Sequence, residues 1–377
     1  MTHLVPLLVS AALLAAACSS SEPSDDGTVT SPVGADAWPT FRLDSARSGT
    51  GGDGSGEPEL AWQFDTGDVV ESSPAVVDGA LFVGTFDRRL HALDAATGAE
   101  LWSFEVGGLL RASPAVVDGL VYFGADDDLF YAVDAATGEE RWRFVLGPGG
   151  QQSSPAVADG TVWFGGFDGN LYALDAATGA ERWRFPTGAG ILSSPLVTDG
   201  AVVIGSIDGA VYSIDAETGA ERWRYQTGGP VFSSPAGQGD AIVFGSDDGA
   251  VHAVDADSGA PLWSVQTTRA VFATPSISDG TVYVGSRDGS FLAIESSSGN
   301  VVWSTDLVEV LSSAAVTAER IYVGSSDGNL YVLGRADGSV LALLPVGELV
   351  WTSPAVIDGW LFFGAHDSQI HAYRLNG

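Results

Sequence analysis

The hydrophobic pattern of this chain recurs about every 40 residues, and each recurrence alternates short apolar runs with clusters of turn residues. In the third copy the unit reads SSPAVADG over 153–160, TVWFGGFDG over 161–169, NLYALDAATG over 170–179 and AERWRF over 180–185. Runs such as TVWFG and LYALD are rich in β-branched and aromatic residues and carry no helical period, so each unit is expected to form about four strands. Asp-Gly follows the first run at Asp78, Asp118, Asp159, Asp199, Asp279 and Asp358, where a tight hairpin needs positive φ. Every copy carries an aspartate between runs two and three: Asp87, Asp127, Asp168, Asp208, Asp248, Asp288, Asp327 and Asp367. Thr-Gly or Ser-Gly then turns run three into run four at Gly98, Gly138, Gly179, Gly219, Gly259 and Gly299.

A four-stranded sheet of about 40 residues buries too little surface to stand alone, so the copies must stack, and radial stacking of such sheets makes a propeller. The opening proline recurs at Pro74, Pro114, Pro155, Pro195, Pro235, Pro275 and Pro354, with Ala314 in the seventh slot. A tryptophan closes the unit at Trp102, Trp142, Trp183, Trp223, Trp263 and Trp303, with Ala342 in the seventh copy. The eighth copy has no closing run, while Trp62 stands ahead of the first. Pairing the N-terminal strand around Trp62 with the last blade would close a ring and remove an unpaired sheet edge. The expected fold is therefore all-β: an eight-bladed β-propeller of four-stranded antiparallel blades, in one domain.

The seven tryptophans are the expected anchors between blades. A buried Trp removes roughly 150–250 Å² from water. Arg141 and Arg143, Arg182 and Arg184, and Arg222 and Arg224 flank three of them, and strand alternation puts these pairs on the opposite face, as solvated charges of an outer strand.

Charge removes whole classes of partner. The net charge is −32 and every cationic side chain is an arginine, so nucleic acid and anionic lipid headgroups are repelled. Cys18 is the lone cysteine, which excludes an internal disulfide and a haem-attachment motif. His91, His252 and His371 take the slot of Tyr172, Tyr212 and Tyr331, so they read as packing aromatics rather than metal ligands. The aspartates at 126–128 and the Asp247–Asp248 pair lack the alternating carboxylates and distal glutamate of a calcium loop and read as turns. No metal site, nucleophile motif or phosphate loop stands out, and no catalytic residue is assigned.

The unit LYALDAATGAERWRF, preceded by SSPAV and by the lead-in WPTFRLDSARSG at 38–49, resembles the pyrroloquinoline-quinone (PQQ) repeat family of eight-bladed propellers. The resemblance covers about residue 38 to the end. That family includes quinoprotein dehydrogenases and cofactor-free propellers, among them lipoproteins similar to BamB, the accessory subunit of the outer-membrane β-barrel assembly machine. The dehydrogenases typically carry a disulfide of adjacent cysteines over the quinone, and this sequence has none to form it. The resemblance thus implies a non-catalytic scaffold that binds envelope proteins without a cofactor. The alternative it leaves is an oxidoreductase holding PQQ with calcium at the channel mouth.

Leu4 to Ala17 is an apolar run long enough for a signal peptide and short for a membrane span, and it ends in LLAAACSS. That ending resembles a bacterial lipobox with Cys18 as the lipidated residue, although Ala15 replaces the usual leucine and Met1 to His3 supplies no Lys or Arg. The expected organisation is a signal peptide at 1–18, a flexible tether at 19–37 rich in Ser, Pro, Asp, Glu and Gly, and the propeller at 38–377 with its lead-in at 38–56. A monomeric propeller would then be exported and held to a membrane by lipid alone. Its site would be the periplasmic face of an outer membrane, or the outer face of the plasma membrane where only one membrane exists.

In a repeat protein, function should show where the copies differ. In the PQQ-repeat family the first strand of each blade lines the central channel. The residue two before the final Ser or Thr of each opening should therefore lie near the channel mouth. Around the ring that slot holds Glu71, Arg111, Gln152, Leu192, Phe232, Phe272, Leu311 and Trp351. Trp351, Glu71, Arg111 and Gln152 are thus consecutive and face an apolar arc. They are the candidate ligand or partner site; Glu71 and Arg111 pairing merely to plug the channel is the other reading.

Overall fold

A computed structural model describes Phe41 and residues 56–376. The segment ending at Cys18, the tether at 19–37 and the rest of the lead-in before residue 56 lie outside the described residues.

The described residues contain 32 strands arranged as eight four-stranded antiparallel sheets. Seven blades take four consecutive strands. Blade 1 is Ala75–Val77, Ala80–Gly84, Arg89–Asp94 and Glu100–Glu105, and blades 2 to 7 begin at Ala115, Ala156, Leu196, Ala236, Ser276 and Ala315. Blade 8 has Ala355–Ile357, Trp360–Gly364 and Gln369–Asn376 from the end of the chain, and its outer strand is Glu57–Asp65 from the beginning. Phe64 pairs with Ile370 and Trp62 with Ala372, so the ring closes as the offset of the repeats predicts.

The hairpins follow their sequence. All six Asp-Gly aspartates have φ between 39° and 52°, and the glycine after each is also positive, the geometry of a two-residue hairpin that matches strand twist. Each outer pairing also contains a bulge beside the tryptophan, or beside Ala342 in blade 7, as between Ala92 and Leu93 in blade 1, so that the residue before it is left unpaired and re-aimed.

Blade-to-blade contact rests on two devices. The first is a circle of hydrogen bonds around the axis that the sequence reading did not anticipate. The backbone N–H of Ser73 donates to Ser113 Oγ, Ser113 to Ser154, Ser154 to Ser194, Ser194 to Ser234, Ser234 to Thr274, Thr274 to Ser313 and Ser313 to Ser353. Ser353 then donates to Ser73 Oγ at 2.8 Å and completes the circle. These hydroxyls are buried, so each satisfies a neighbour's N–H that water does not reach.

The second device is the tryptophan. From Trp62 to Trp303, each indole N–H donates to a carbonyl of the next blade, at Ala95, Ala135, Ala176, Ala216, Ala256, Ser296 and Arg335 in turn. Each ring also lies on that blade's turn glycine. At Gly98, Gly138, Gly179, Gly219, Gly259, Gly299 and Gly338 a Cβ would come within 2.5–2.9 Å of the indole, and φ is near +70°. Sterics and backbone conformation therefore demand glycine together. Trp142 and Trp223 are buried while the other five are half-buried, less than the sequence suggests, because the outermost strand leaves one edge of the indole at the rim. Where Ala342 leaves the junction of blades 7 and 8 without an indole, Arg320 crosses it and donates to the Gly56 carbonyl at 2.7 Å.

The turn aspartates and the aromatic slot explain each other. Each aspartate accepts the backbone N–H two residues on, at 2.9–3.1 Å in all eight blades. In seven blades its carboxylate also meets the ring four residues on: the hydroxyl of Tyr131, Tyr172, Tyr212 or Tyr331, or Nε2 of His91, His252 or His371. Burial and the neighbouring carboxylate push the Tyr172, Tyr212 and Tyr331 hydroxyls up to about 12. The histidines pack as the tyrosines do: His371 stacks 4.8 Å from Phe363 and His252 5.6 Å from Phe244.

His91 sits between two carboxylates, with Nδ1 2.9 Å from Glu100 and Nε2 3.2 Å from Asp87. Burial alone would lower its pKa, but the hydrogen bonds to Asp87 and Glu100 outweigh it and raise it above 6.5. A raised folded pKa adds stability that is full below about 6.5 and lost as pH rises through the folded value. The wild type should lose resistance to urea as pH rises from about 6.5, and His91→Tyr, which installs the residue of blades 2, 3 and 4, should flatten that slope. An equal slope in both proteins would refute this role.

Candidate functional site

The linker into each blade and the turn between its second and third strands share one face of the ring. The backbone ties them together, Phe86 N–H donating to Val69 O, Asp126 to Leu109, Ser326 to Glu309 and His366 to Leu349. The varied slot follows that linker, so its side chains and the residue before each turn aspartate meet at the channel mouth.

Around Arg111 the candidate residues form one network. Arg111 Nη1 donates to Glu71 at 2.9 Å, its Nε donates to Asp126 at 3.1 Å, and its guanidinium lies 4.5 Å over the Phe86 ring. The second oxygen of Glu71 is 3.6 Å from His366 Nε2. The His366 ring meets Trp351 edge-on at 4.6 Å, and Trp351 donates its indole N–H to Ser326 Oγ at 3.1 Å. The structure thus joins Trp351, Glu71 and Arg111. Gln152 is half-buried and its side chain makes no hydrogen bond among the described residues.

The sequence reading did not place four members of this network in the site: Phe86, Ser326, His366 and Asp126, which was read as a turn residue and here bonds Arg111. A signal for them exists, because the slot before the turn aspartate is as uneven as the first, reading Phe86, Asp126, Phe167, Ile207, Asp247, Arg287, Ser326 and His366. Gln151 was also missed. It fills the position held elsewhere by Val70, Leu110, Ile191, Val231, Val271, Val310 and Val350, and it is fully buried there.

The charge of the network is unbalanced. Burial lowers the His366 pKa against the pull of Glu71 and Glu348, so the ring is neutral at neutral pH. Two carboxylates then face one guanidinium. Asp126 Oδ1 and His366 Nε2 are buried without a hydrogen-bond partner, as is Gln151 Oε1 in the next blade. Across the mouth Phe232 and Phe272 pack edge to face at 4.8 Å, and Arg287 lies 5.0 Å over Phe272 while donating to Glu309 at 2.6 Å.

This arrangement does not fit PQQ with calcium. An anionic quinone would meet two carboxylates and a guanidinium already bonded to both. Among the described residues no three His, Cys, Asp or Glu side chains converge to hold a metal. The acidic run is occupied as turn structure: Asp127 accepts from Leu129 N–H and Gly107 N–H, and Asp128 accepts from the N–H groups of Gly149 and Gly150.

A closed ring of eight four-stranded blades with a polar, self-bonded channel mouth defines an eight-bladed propeller of the repeat type read in the sequence. The chain belongs to the PQQ-repeat β-propeller family. The family model described as the β-propeller of beta-alanine-activating enzyme matches residues 55–281, more than half the chain, and that of outer membrane protein assembly factor BamB matches 227–373. No curated protein matches the sequence significantly. Among solved structures, BamB from Moraxella catarrhalis is similar with a TM-score of 0.75 at 17% identity, covering 84% of this chain and 100% of that one. Quinohemoprotein alcohol dehydrogenase from Comamonas testosteroni reaches 0.79 at 18% identity, covering 91% and 81%. The computationally designed protein Ika8 reaches 0.76 at 20% identity, covering 84% and 100%. At these identities the likeness is one of fold.

Proposed function

We propose that this propeller is a non-catalytic binding module of the cell envelope, exported and anchored by lipid at Cys18, that docks other envelope proteins on its channel-mouth face. The observation carrying the proposal is the break in regularity at that mouth. Elsewhere the copies repeat one structural solution, whereas here an aromatic pair, an unbalanced ion network and orphaned polar atoms stand opposite an apolar arc. The match of the C-terminal half to the assembly-factor family supports the reading, and so does a net charge that disfavours nucleic acid.

In a pull-down from native membranes, wild-type protein should retain partners that Arg111→Ala combined with Trp351→Ala loses, with the melting curve within a few degrees of wild type. Retained partners would discard this face. In the same fractionation Cys18→Ser should leave the membrane pellet; an unchanged distribution would discard the anchor. The likeness to a quinohemoprotein dehydrogenase favours a second reading as an oxidoreductase. Stoichiometric retention of PQQ after incubation with calcium would favour that reading over the first.

A further inference from the structure

On the face opposite the mouth, a groove of about 540 Å³ opens between blades 1 and 2, with Phe82, Val116 and Leu101 as apolar lining and Asp78, Asp118 and Asp134 at its edge. The repeat explains why it is open. In blades 3 and 4 the bulge residue before the tryptophan is Arg182 or Arg222, which folds back onto the hairpin and bonds the Gly160 or Gly200 carbonyl at 2.9 or 2.7 Å. In blade 1 that residue is Leu101, which is exposed and cannot do this. Asp134 is neutralised by Arg141, but Asp78 and Asp118 are exposed and make no ion pair among the described residues.

Elsewhere the equivalent space holds one of the protein's own arginines, and the groove between blades 6 and 7 keeps about 450 Å³ with Arg335 on its wall. Between blades 6 and 7, Arg335 reaches across to Asp279 at 2.6 Å, donates to Tyr283 Oη at 3.1 Å and lies 5.9 Å over that ring. Asp279 and Tyr283 occupy the repeat positions of Asp78 and Phe82, and Arg335 that of Ala135. In blade 8, Arg374 lies 3.5 Å over the ring of Trp360, two residues before Phe362 in the same position as Phe82. The groove between blades 1 and 2 therefore keeps the carboxylate and the aromatic of a guanidinium site and lacks the arginine.

We propose that this groove is a docking site for an arginine side chain of a partner protein. The guanidinium pairs with Asp78 above Phe82, which is 2% exposed and forms the floor of the groove, and the arginine's methylenes lie along Leu101. A planar guanidinium suits a carboxylate beside an aromatic face better than an ammonium does. The proposal is independent of the channel mouth: it concerns the other face, and its test leaves Arg111 and Trp351 intact.

The probe is a capped pentapeptide, Gly-Gly-Arg-Gly-Gly, titrated into the full chain and followed by indole N–H NMR signals, Trp102 lying beside the groove. Saturable binding is expected, at least ten-fold weaker for the citrulline peptide and several-fold weaker for the lysine peptide. Asp78→Asn should weaken it about ten-fold. Ala135→Arg, which copies Arg335 into the groove, should abolish it while maintaining or raising the melting temperature. Asp257→Asn removes an equal charge from an exposed turn of blade 5 and should change nothing. Absence of binding at millimolar peptide, equal binding of the citrulline peptide, or undiminished binding to Ala135→Arg would each overturn the proposal.

Discussion

Deletion of Glu57–Asp65 should abolish the folded ring. That strand is the outer strand of blade 8, it carries Trp62, and Trp62 donates to the Ala95 carbonyl of blade 1 at 3.1 Å. Without it the strand Gln369–Asn376 becomes an open edge, and the junctions on both sides of blade 8 weaken together, because Arg320 of blade 7 loses the Gly56 and Glu57 contacts. Net stabilities of domains are only about 5–15 kcal/mol, less than such a set of losses. The deleted protein should be aggregated or lack a cooperative urea transition, and a synthetic peptide of residues 57–65 added during refolding should restore part of the monomer. A soluble, cooperatively unfolding deletion variant would show that the strand merely decorates a ring closed by other means.

Trp142→Ala should cost about 3–5 kcal/mol, read as a lower urea midpoint. Trp142 is 9% exposed, stacks on Phe130 at 6.0 Å and lies against the turn glycine of blade 3. Its indole hydrogen bond to the Ala176 carbonyl contributes less to that cost, because the Tyr122 hydroxyl donates to the same oxygen at 3.1 Å and would keep it satisfied. The loss is chiefly the cavity. Trp183→Ala, at a half-buried position, should fall at the low end of the same range. A midpoint unchanged in Trp142→Ala would mean that the junctions rest on the buried serine circle and not on the indoles.

The architecture was readable because the repeat writes the same local rule many times. Six Asp-Gly pairs specify six two-residue hairpin turns of positive φ, and the displaced Trp62 specifies closure. The serine circle was less legible: Ser-Pro looks like a strand entry, and only the ring geometry makes each hydroxyl the acceptor for the preceding blade's N–H. The mouth was legible in part. A slot-by-slot comparison along the segment entering each blade found Glu71, Arg111 and Trp351, which the structure joins. It did not place Asp126 and His366 there because they come from the neighbouring turn, and a comparison within one segment cannot reveal contacts between two. The extent of tryptophan burial was overestimated for a related reason: period and residue type locate the outer strand, but not how far its rim stands in water.

The central claim is that the channel mouth, rather than the blade sides, receives the partner. A photoreactive amino acid placed at Gln152, beside the Arg111 network, should give discrete crosslinked products in native membranes, and the same group at Val145, 72% exposed on an outer strand, should give none above background. Equal crosslinking from both positions, or products from Val145 alone, would contradict the account.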